Sequence, residues 1–151
     1  MALRNLQKRK KEITLYSDGS SLGNPGAGGW GVILEYNGHT KELSGAVANS
    51  TNNQMELLAV IKGLEALKEP CNVEVVTDSS YVANAINGWL SNWIKKDFKG
   101  VKNPDLWKRF SQLAQIHTVK AKWVRGHNGH PQNERCDELA VQAAKKIKEN
   151  E

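Results

Sequence analysis

The chain has 151 residues, 39% apolar and 25% charged, which is the size of one ordinary domain around one core. It offers no run of about eighteen apolar residues and no apolar h-region at its start, which excludes a membrane span and a secretory signal and gives the expectation of a cytoplasmic protein. The net charge of +5 is that of residues 1–11, where Arg4, Lys8, Arg9, Lys10 and Lys11 meet no acid; this stretch reads as a basic, disordered extension ahead of a single domain over 12–148.

Within that domain the charges are polarised. Residues 95–125 hold nine Lys or Arg against Asp97 and Asp105, while residues 12–94 are acidic. Such a division suits an anionic partner on one side and a carboxylate cluster on another, and it equally suits a solvated surface. Cys71 and Cys136 are far apart and outside any metal-ligand spacing, so both read as buried, reduced thiols.

In chain order, Glu12 to Ser17 alternates as a half-buried strand that delivers Asp18 at its end. Gly19 to Gly31, punctuated by Gly23, Asn24, Pro25, Gly26, Gly28 and Gly29, is expected to be a turn or loop. Gly31 to Tyr36 and Thr40 to Ala46 are two more strands joined by the type I′ hairpin signal Asn37-Gly38. Met55, Leu58, Ala59, Val60, Ile61, Leu64 and Leu67 recur at helical spacing behind Thr51, Asn52 or Asn53 as cap, and Pro70 stops the helix.

Val73 to Thr77 is a β-branched strand ending at Asp78. Tyr81 to Ile94 and, behind Pro104, Asp105 to Ile116 are helical, separated by a lysine-rich connection. Val119 to Val124 is a fifth strand in which Val119, Ala121 and Trp123 alternate with Lys120 and Lys122, and Pro131 opens a last helix carrying Cys136, Leu139, Ala140, Ala143, Ala144 and Ile147 inward. This order describes an α/β fold with a five-stranded mixed sheet, its first three strands antiparallel, and helices on both faces. A helical crossover lets the fourth strand lie parallel to the first, so that Asp18 and Asp78 become neighbours.

Two carboxylates at adjacent strand ends repel unless a cation sits between them, and a divalent metal is the economical solution. Glu56, one turn into the first helix, and Asp137, early in the last, can point to the same place. Carboxylates are hard ligands that suit Mg²⁺ or Mn²⁺ rather than zinc. Taken singly, Asp18 reads as a turn residue, Asp78 as a helix cap, and Glu56 and Asp137 as solvated helix residues. The glycine loop lacks the lysine of GxxxxGK[ST] and does not open a helix, which rejects a nucleotide P-loop.

Tyr16-Ser17-Asp18-Gly19-Ser20, Gly23-Asn24-Pro25-Gly26, Thr51-Asn52-Asn53-Gln54-Met55-Glu56, Thr77-Asp78-Ser79, and Gly126-His127-Asn128-Gly129-His130-Pro131 through Asn133-Glu134-Arg135-Cys136-Asp137 closely resemble bacterial ribonuclease H of type I. The resemblance runs over residues 12 to about 148. It implies the ribonuclease H-like fold and a hydrolase that cuts the RNA strand of RNA/DNA hybrids by a two-metal-ion mechanism, leaving 5′-phosphate and 3′-hydroxyl ends. It also implies a Mg²⁺ cofactor for which Mn²⁺ substitutes, with Asp18, Glu56, Asp78 and Asp137 as metal-binding catalytic residues and His127 as a mobile catalytic histidine.

By the same resemblance Asn24, Asn52 and Asn53 read the 2′-hydroxyl across the minor groove, and Thr51 holds a DNA phosphate. Trp89, Trp93, Phe98 and Trp107 interleaved with Lys95, Lys96, Lys99 and Lys102 form a basic handle that tracks the hybrid, shortened here between Lys99 and Lys102. For Trp93 and Trp107, packing between helices is the larger expected role. The partner expected is the hybrid duplex, with no membrane and no obligate protein partner, so a monomer. A non-catalytic hybrid-binding module and a nuclease of duplex DNA are the competing readings, disfavoured by the four acids and the three asparagines respectively.

Overall fold

The structure, a computed structural model, describes residues 10–126 and 129–149. The N-terminal extension up to residue 9 lies outside the described residues, and so does His127. The elements run β1 (Lys11–Ser21), β2 (Gly26–Tyr36), β3 (His39–Ser50), α1 (Asn52–Glu65), β4 (Cys71–Thr77), α2 (Ser80–Asn84), one π-helical turn (Ala85–Trp89), α3 (Leu90–Lys95), α4 (Pro104–Ile116), β5 (Thr118–Trp123) and α5 (Pro131–Glu149). β1 starts at Lys11, inside the stretch expected to be extension, and Lys11 pairs with Glu69 at 2.7 Å.

The sheet order is β3-β2-β1-β4-β5. β1, β2 and β3 are antiparallel neighbours, and β4 runs parallel to both β1 and β5. The hairpin between β2 and β3 has positive φ at both Asn37 (49°) and Gly38 (81°), as a type I′ turn requires. Helix α1 covers β1 and β2, and α5 packs against β1, β2 and β3.

The glycine-rich segment is not the loop its composition suggested. Gly26 to Gly31 belong to β2, and β1 continues through Ser21, so only four residues turn the chain. The reason is tertiary: a Cβ on Gly29 would collide with the backbone of Ala140, and one on Gly31 would lie 2.5 Å from the Cys136 carbonyl. Glycine there lets α5 sit directly on the β2 backbone.

α1 begins with a capping box in which Thr51 Oγ1 accepts from Gln54 N (3.2 Å) and Gln54 Oε1 accepts from Thr51 N (3.0 Å). Its Met55, Leu57, Leu58, Val60, Ile61 and Leu64 are buried against Leu15, Val32, Val73 and Val75 of the sheet. Each side chain of this size stabilises the fold by about 1.5–3 kcal/mol when fully removed from water. Trp107 and Phe110 of α4, both fully buried, close the same core.

The segment expected as one helix over 81–94 is interrupted by the π-helical turn. That turn sets Asn87 against β5, where its amide donates to the Ala121 carbonyl (2.8 Å) and accepts from Ala121 N (2.9 Å), replacing the next strand at the sheet edge. Two apolar residues stand out. Trp123, which alternates with the lysines of β5 alongside Val119 and Ala121, is 51% exposed because it ends an edge strand beyond the core. Phe98, assigned to the basic surface, is buried, because positive φ at Asp97, Phe98 and Gly100 folds the connection back onto the core.

Candidate active site

Three elements deliver carboxylates to one point. Asp18 lies in β1, two residues past the last β1 residue paired with β4, on the same sheet face as Tyr16 and toward α5. Asp78 follows the end of the adjacent β4, and Glu56 comes from the second turn of α1. One carboxylate oxygen from each of Asp18, Glu56 and Asp78 lies within 4.8 Å of the others. Asp137, from the second turn of α5, stands beside this trio, close enough to act on both Asp18 and Glu56.

The readings of these acids as turn, cap or solvated residues sit poorly with their burial: Asp18 is buried, and Glu56, Asp78 and Asp137 are half-buried. Ser79, not Asp78, caps α2, its hydroxyl accepting from Val82 N at 3.1 Å, and Ser79 N donates to Thr77 Oγ1 at 3.0 Å. Asp18 is buried, and Glu56 is half-buried with its Oε2 fully enclosed and without a hydrogen-bond partner. Its Oε1 accepts from Gly19 N at 3.2 Å, and that same N–H also donates to Asp18 Oδ1 at 3.0 Å.

Burial, followed by the charges of Glu56 and Asp78, pushes the Asp18 carboxyl far above the usual range. Burial also lifts Glu56, against the opposing pull of its close neighbour Asp18 and of the Gly19 N–H. A set of crowded carboxylates with one orphaned buried oxygen fits a hard divalent cation, which would supply the positive charge that several acids at this spacing require.

The expected nucleic-acid contacts flank this cluster. Asn52 Oδ1 accepts from Ser21 N (2.9 Å) and Asn24 Oδ1 accepts from Asn52 N (3.2 Å), which joins the turn after β1 to the start of α1. Asn24, Asn52 and Asn53 are exposed, whereas Thr51 spends its hydroxyl oxygen on the helix cap. On the other side Trp89 is 46% exposed, its ring 6.0 Å from half-buried Trp93, which meets buried Trp107 at 5.3 Å. Lys95, Lys96 and Lys99 are exposed beside them. His130 is structural: its ring lies 5.8 Å from Tyr16, and its Nδ1 accepts from Asn133 N at 3.4 Å as α5 begins.

Sequence reasoning missed the polar chain that links these two flanks. Asn103 Oδ1 accepts from Gln54 Nε2 (3.3 Å), Asn103 Nδ2 donates to Tyr81 Oη (3.2 Å), and Tyr81 Oη accepts from Trp107 Nε1 (2.7 Å). Asn103 precedes Pro104, the usual cap position, yet makes no cap bond. Its place just ahead of that helix is the one signal the sequence carries.

The ribonuclease H family model matches residues 10–145 of this chain. The chain is 63% identical over 144 residues to the ribonuclease H of Sulfurovum sp. (strain NBC37-1), covering 95% of this chain and 98% of that protein. Among solved structures it is similar to LC9-RNase H1, described as a type 1 RNase H with the type 2 active-site motif, at a TM-score of 0.85 and 30% identity over 93% of this chain and 75% of that one. It is also similar to LC11-RNase H1 in complex with RNA/DNA hybrid, at a TM-score of 0.67 and 28% identity over 89% of this chain and 98% of that one.

Proposed function

Because the chain belongs to the bacterial type I ribonuclease H family and hydrolyses the RNA strand of RNA/DNA hybrids, we infer that Asp18, Glu56, Asp78 and Asp137 together hold its divalent ions, Mg²⁺ with Mn²⁺ as substitute. The observation that carries this assignment is the convergence of three carboxylate oxygens within 4.8 Å, with Glu56 Oε2 enclosed and unpartnered. Divalent ions held by these carboxylates would activate a water and stabilise the leaving 3′ oxygen.

The chain's own residues do the rest. Asp18 lies on β1 and Asp78 directly follows the adjacent β4, so the sheet positions both before substrate arrives. Gly19 N–H holds Glu56 toward them. His127 is assigned the mobile proton-shuttling role, which its type permits near neutral pH, and its neighbour Gly126 lies against Asp78.

Asn24 and Asn52 spend their amide oxygens internally, which reserves their N–H₂ groups to donate to a 2′-hydroxyl, with Asn53 beside them. Thr51 is assigned to a DNA phosphate through its remaining hydroxyl proton. Trp89 and Trp93, with Lys95, Lys96 and Lys99, form the handle that tracks the duplex backbone, and the lysines supply the salt-dependent share of affinity.

Residues 12–148 are read as the one catalytic domain, acting as a monomer. Cys71 and Cys136 are free and buried, as suits a reducing, cytoplasmic setting, and no helix among the described residues is long and apolar enough to cross a membrane. The test is cleavage of end-labelled RNA/DNA hybrid, duplex RNA and duplex DNA, with Mg²⁺, Mn²⁺ or chelator. Cutting confined to the RNA of the hybrid and abolished by chelator is expected; binding of hybrid without cutting in either ion would leave a binding module instead.

A further inference from the structure

We infer that Trp123 and Gly126 are positioning residues that set the Asp78 carboxylate and thereby tune the affinity of the carboxylate cluster for divalent ions. The inference rests on the assignment of Asp78 as a metal ligand, and it concerns residues that bring no ligand atom of their own.

The chain leaving β5 grips the end of β4 at Thr77 and Asp78. Val124 N donates to the Thr77 carbonyl at 2.9 Å, and Trp123 Nε1 donates to the Asp78 carbonyl at 2.9 Å. These are the carbonyls of the two peptide units that border the Asp78 Cα. With both held, the backbone of Asp78 has little freedom, and only its side-chain torsions remain to be set. Gly126 restricts those: a Cβ at this position would lie 2.6 Å from Asp78 Oδ2 and 3.4 Å from Asp78 Cβ and Cγ, so the bare Gly126 Cα forms a wall against the carboxylate.

The exposure of Trp123 supports the same role. An indole that is 51% exposed at the end of an edge strand contributes little to the core, and its hydrogen bond goes to the residue beside the site. A carboxylate offered to a metal in one orientation binds better than one that must be ordered on binding, and groups that orient ligands are worth about 10–100-fold in metal affinity. The Trp123 bond acts one step further out, through the main chain.

The test uses the full chain with Trp123→Phe, which keeps an aromatic side chain and deletes the donor, and Gly126→Ala, which adds only the Cβ at a backbone conformation open to alanine. Metal-free proteins are titrated with Mg²⁺ by calorimetry and with Mn²⁺ by electron paramagnetic resonance, Asp78→Asn runs in parallel, and thermal unfolding in chelator checks the fold. Trp123→Phe is expected to weaken ion binding at least about threefold and Gly126→Ala about tenfold or more. The metal concentration for half-maximal cleavage should rise in the same ratio, with unfolding in chelator unshifted. Wild-type ion affinity in both variants, while Asp78→Asn loses binding, overturns this inference and leaves the cluster assignment standing. Wild-type affinity in Asp78→Asn overturns both.

Discussion

The backbone N–H of Gly19 donates to Glu56 Oε1 at 3.2 Å, which ties the helix-borne carboxylate to the strand that carries Asp18. Glu56→Gln keeps an oxygen for Gly19 but replaces the charge and turns the enclosed oxygen position into a poor metal ligand. The fold should survive, while cleavage at moderate Mg²⁺ falls more than about 100-fold, since even outer-shell partners of a metal are worth about 10–100-fold. Single-turnover cleavage against Mg²⁺ concentration checks this, and a rate within tenfold of wild type contradicts it.

Asp18 and Glu56 both titrate above the ordinary carboxylate range, primarily because they are buried. A carboxyl whose folded pKa exceeds its unfolded one adds stability that is fully present below the unfolded value and lost as pH rises through the folded value. For Glu56 that window runs from 4.5 to about 7. Metal-free protein should therefore lose stability between pH 5 and pH 8, and Mg²⁺ should restore more at pH 8, where it has fewer protons to displace. Thermal unfolding with chelator or Mg²⁺ across this range, compared with Asp18→Asn, is the check; parallel pH profiles for the two metal-free proteins would contradict the expectation.

Asn103 holds φ at 56° and bridges Gln54 and Tyr81 at 3.3 and 3.2 Å. Asn103→Gly keeps access to that conformation and loses the two bonds, worth together about 1–3 kcal/mol. Asn103→Ala adds backbone strain of about 1–2 kcal/mol. Urea unfolding should therefore rank the three as Asn, then Gly, then Ala, and an alanine variant as stable as the glycine one would show that the left-handed backbone is not retained.

The handle predicts a salt effect. Lys95, Lys96 and Lys99 replaced by Ala should weaken hybrid binding and flatten the dependence of log affinity on log salt by about 0.7–0.9 for each phosphate that these lysines neutralise. Binding isotherms at several salt concentrations read the slope, and an unchanged slope would return these lysines to solvated surface.

Much of this was legible in the sequence because it is local. Alternating Ile13 and Leu15, Val73 and Val75 announced strands, the Thr51-Asn52-Asn53 run announced a cap that the structure places at Thr51, and strand order then brought Asp18 and Asp78 together. The misreadings were non-local. Gly29 and Gly31 look like loop residues because their lack of side chain is needed only by α5, which lies about a hundred residues further along the chain. Alternation groups Trp123 with Val119 and Ala121 but leaves its exposure unread, because the pattern tells which face a residue takes and not whether anything covers it. The Gln54–Asn103–Tyr81 chain joins three elements and leaves no spacing to read.

That the Asp18, Glu56, Asp78 and Asp137 cluster performs the cutting of hybrid RNA is tested most directly by comparing wild type with Asp18→Asn. Both are measured on one end-labelled RNA/DNA hybrid, for binding and for Mg²⁺-dependent cleavage. The variant is expected to bind the hybrid as tightly as wild type and to leave the RNA uncut; cleavage by the variant at a rate near that of wild type would contradict the assignment.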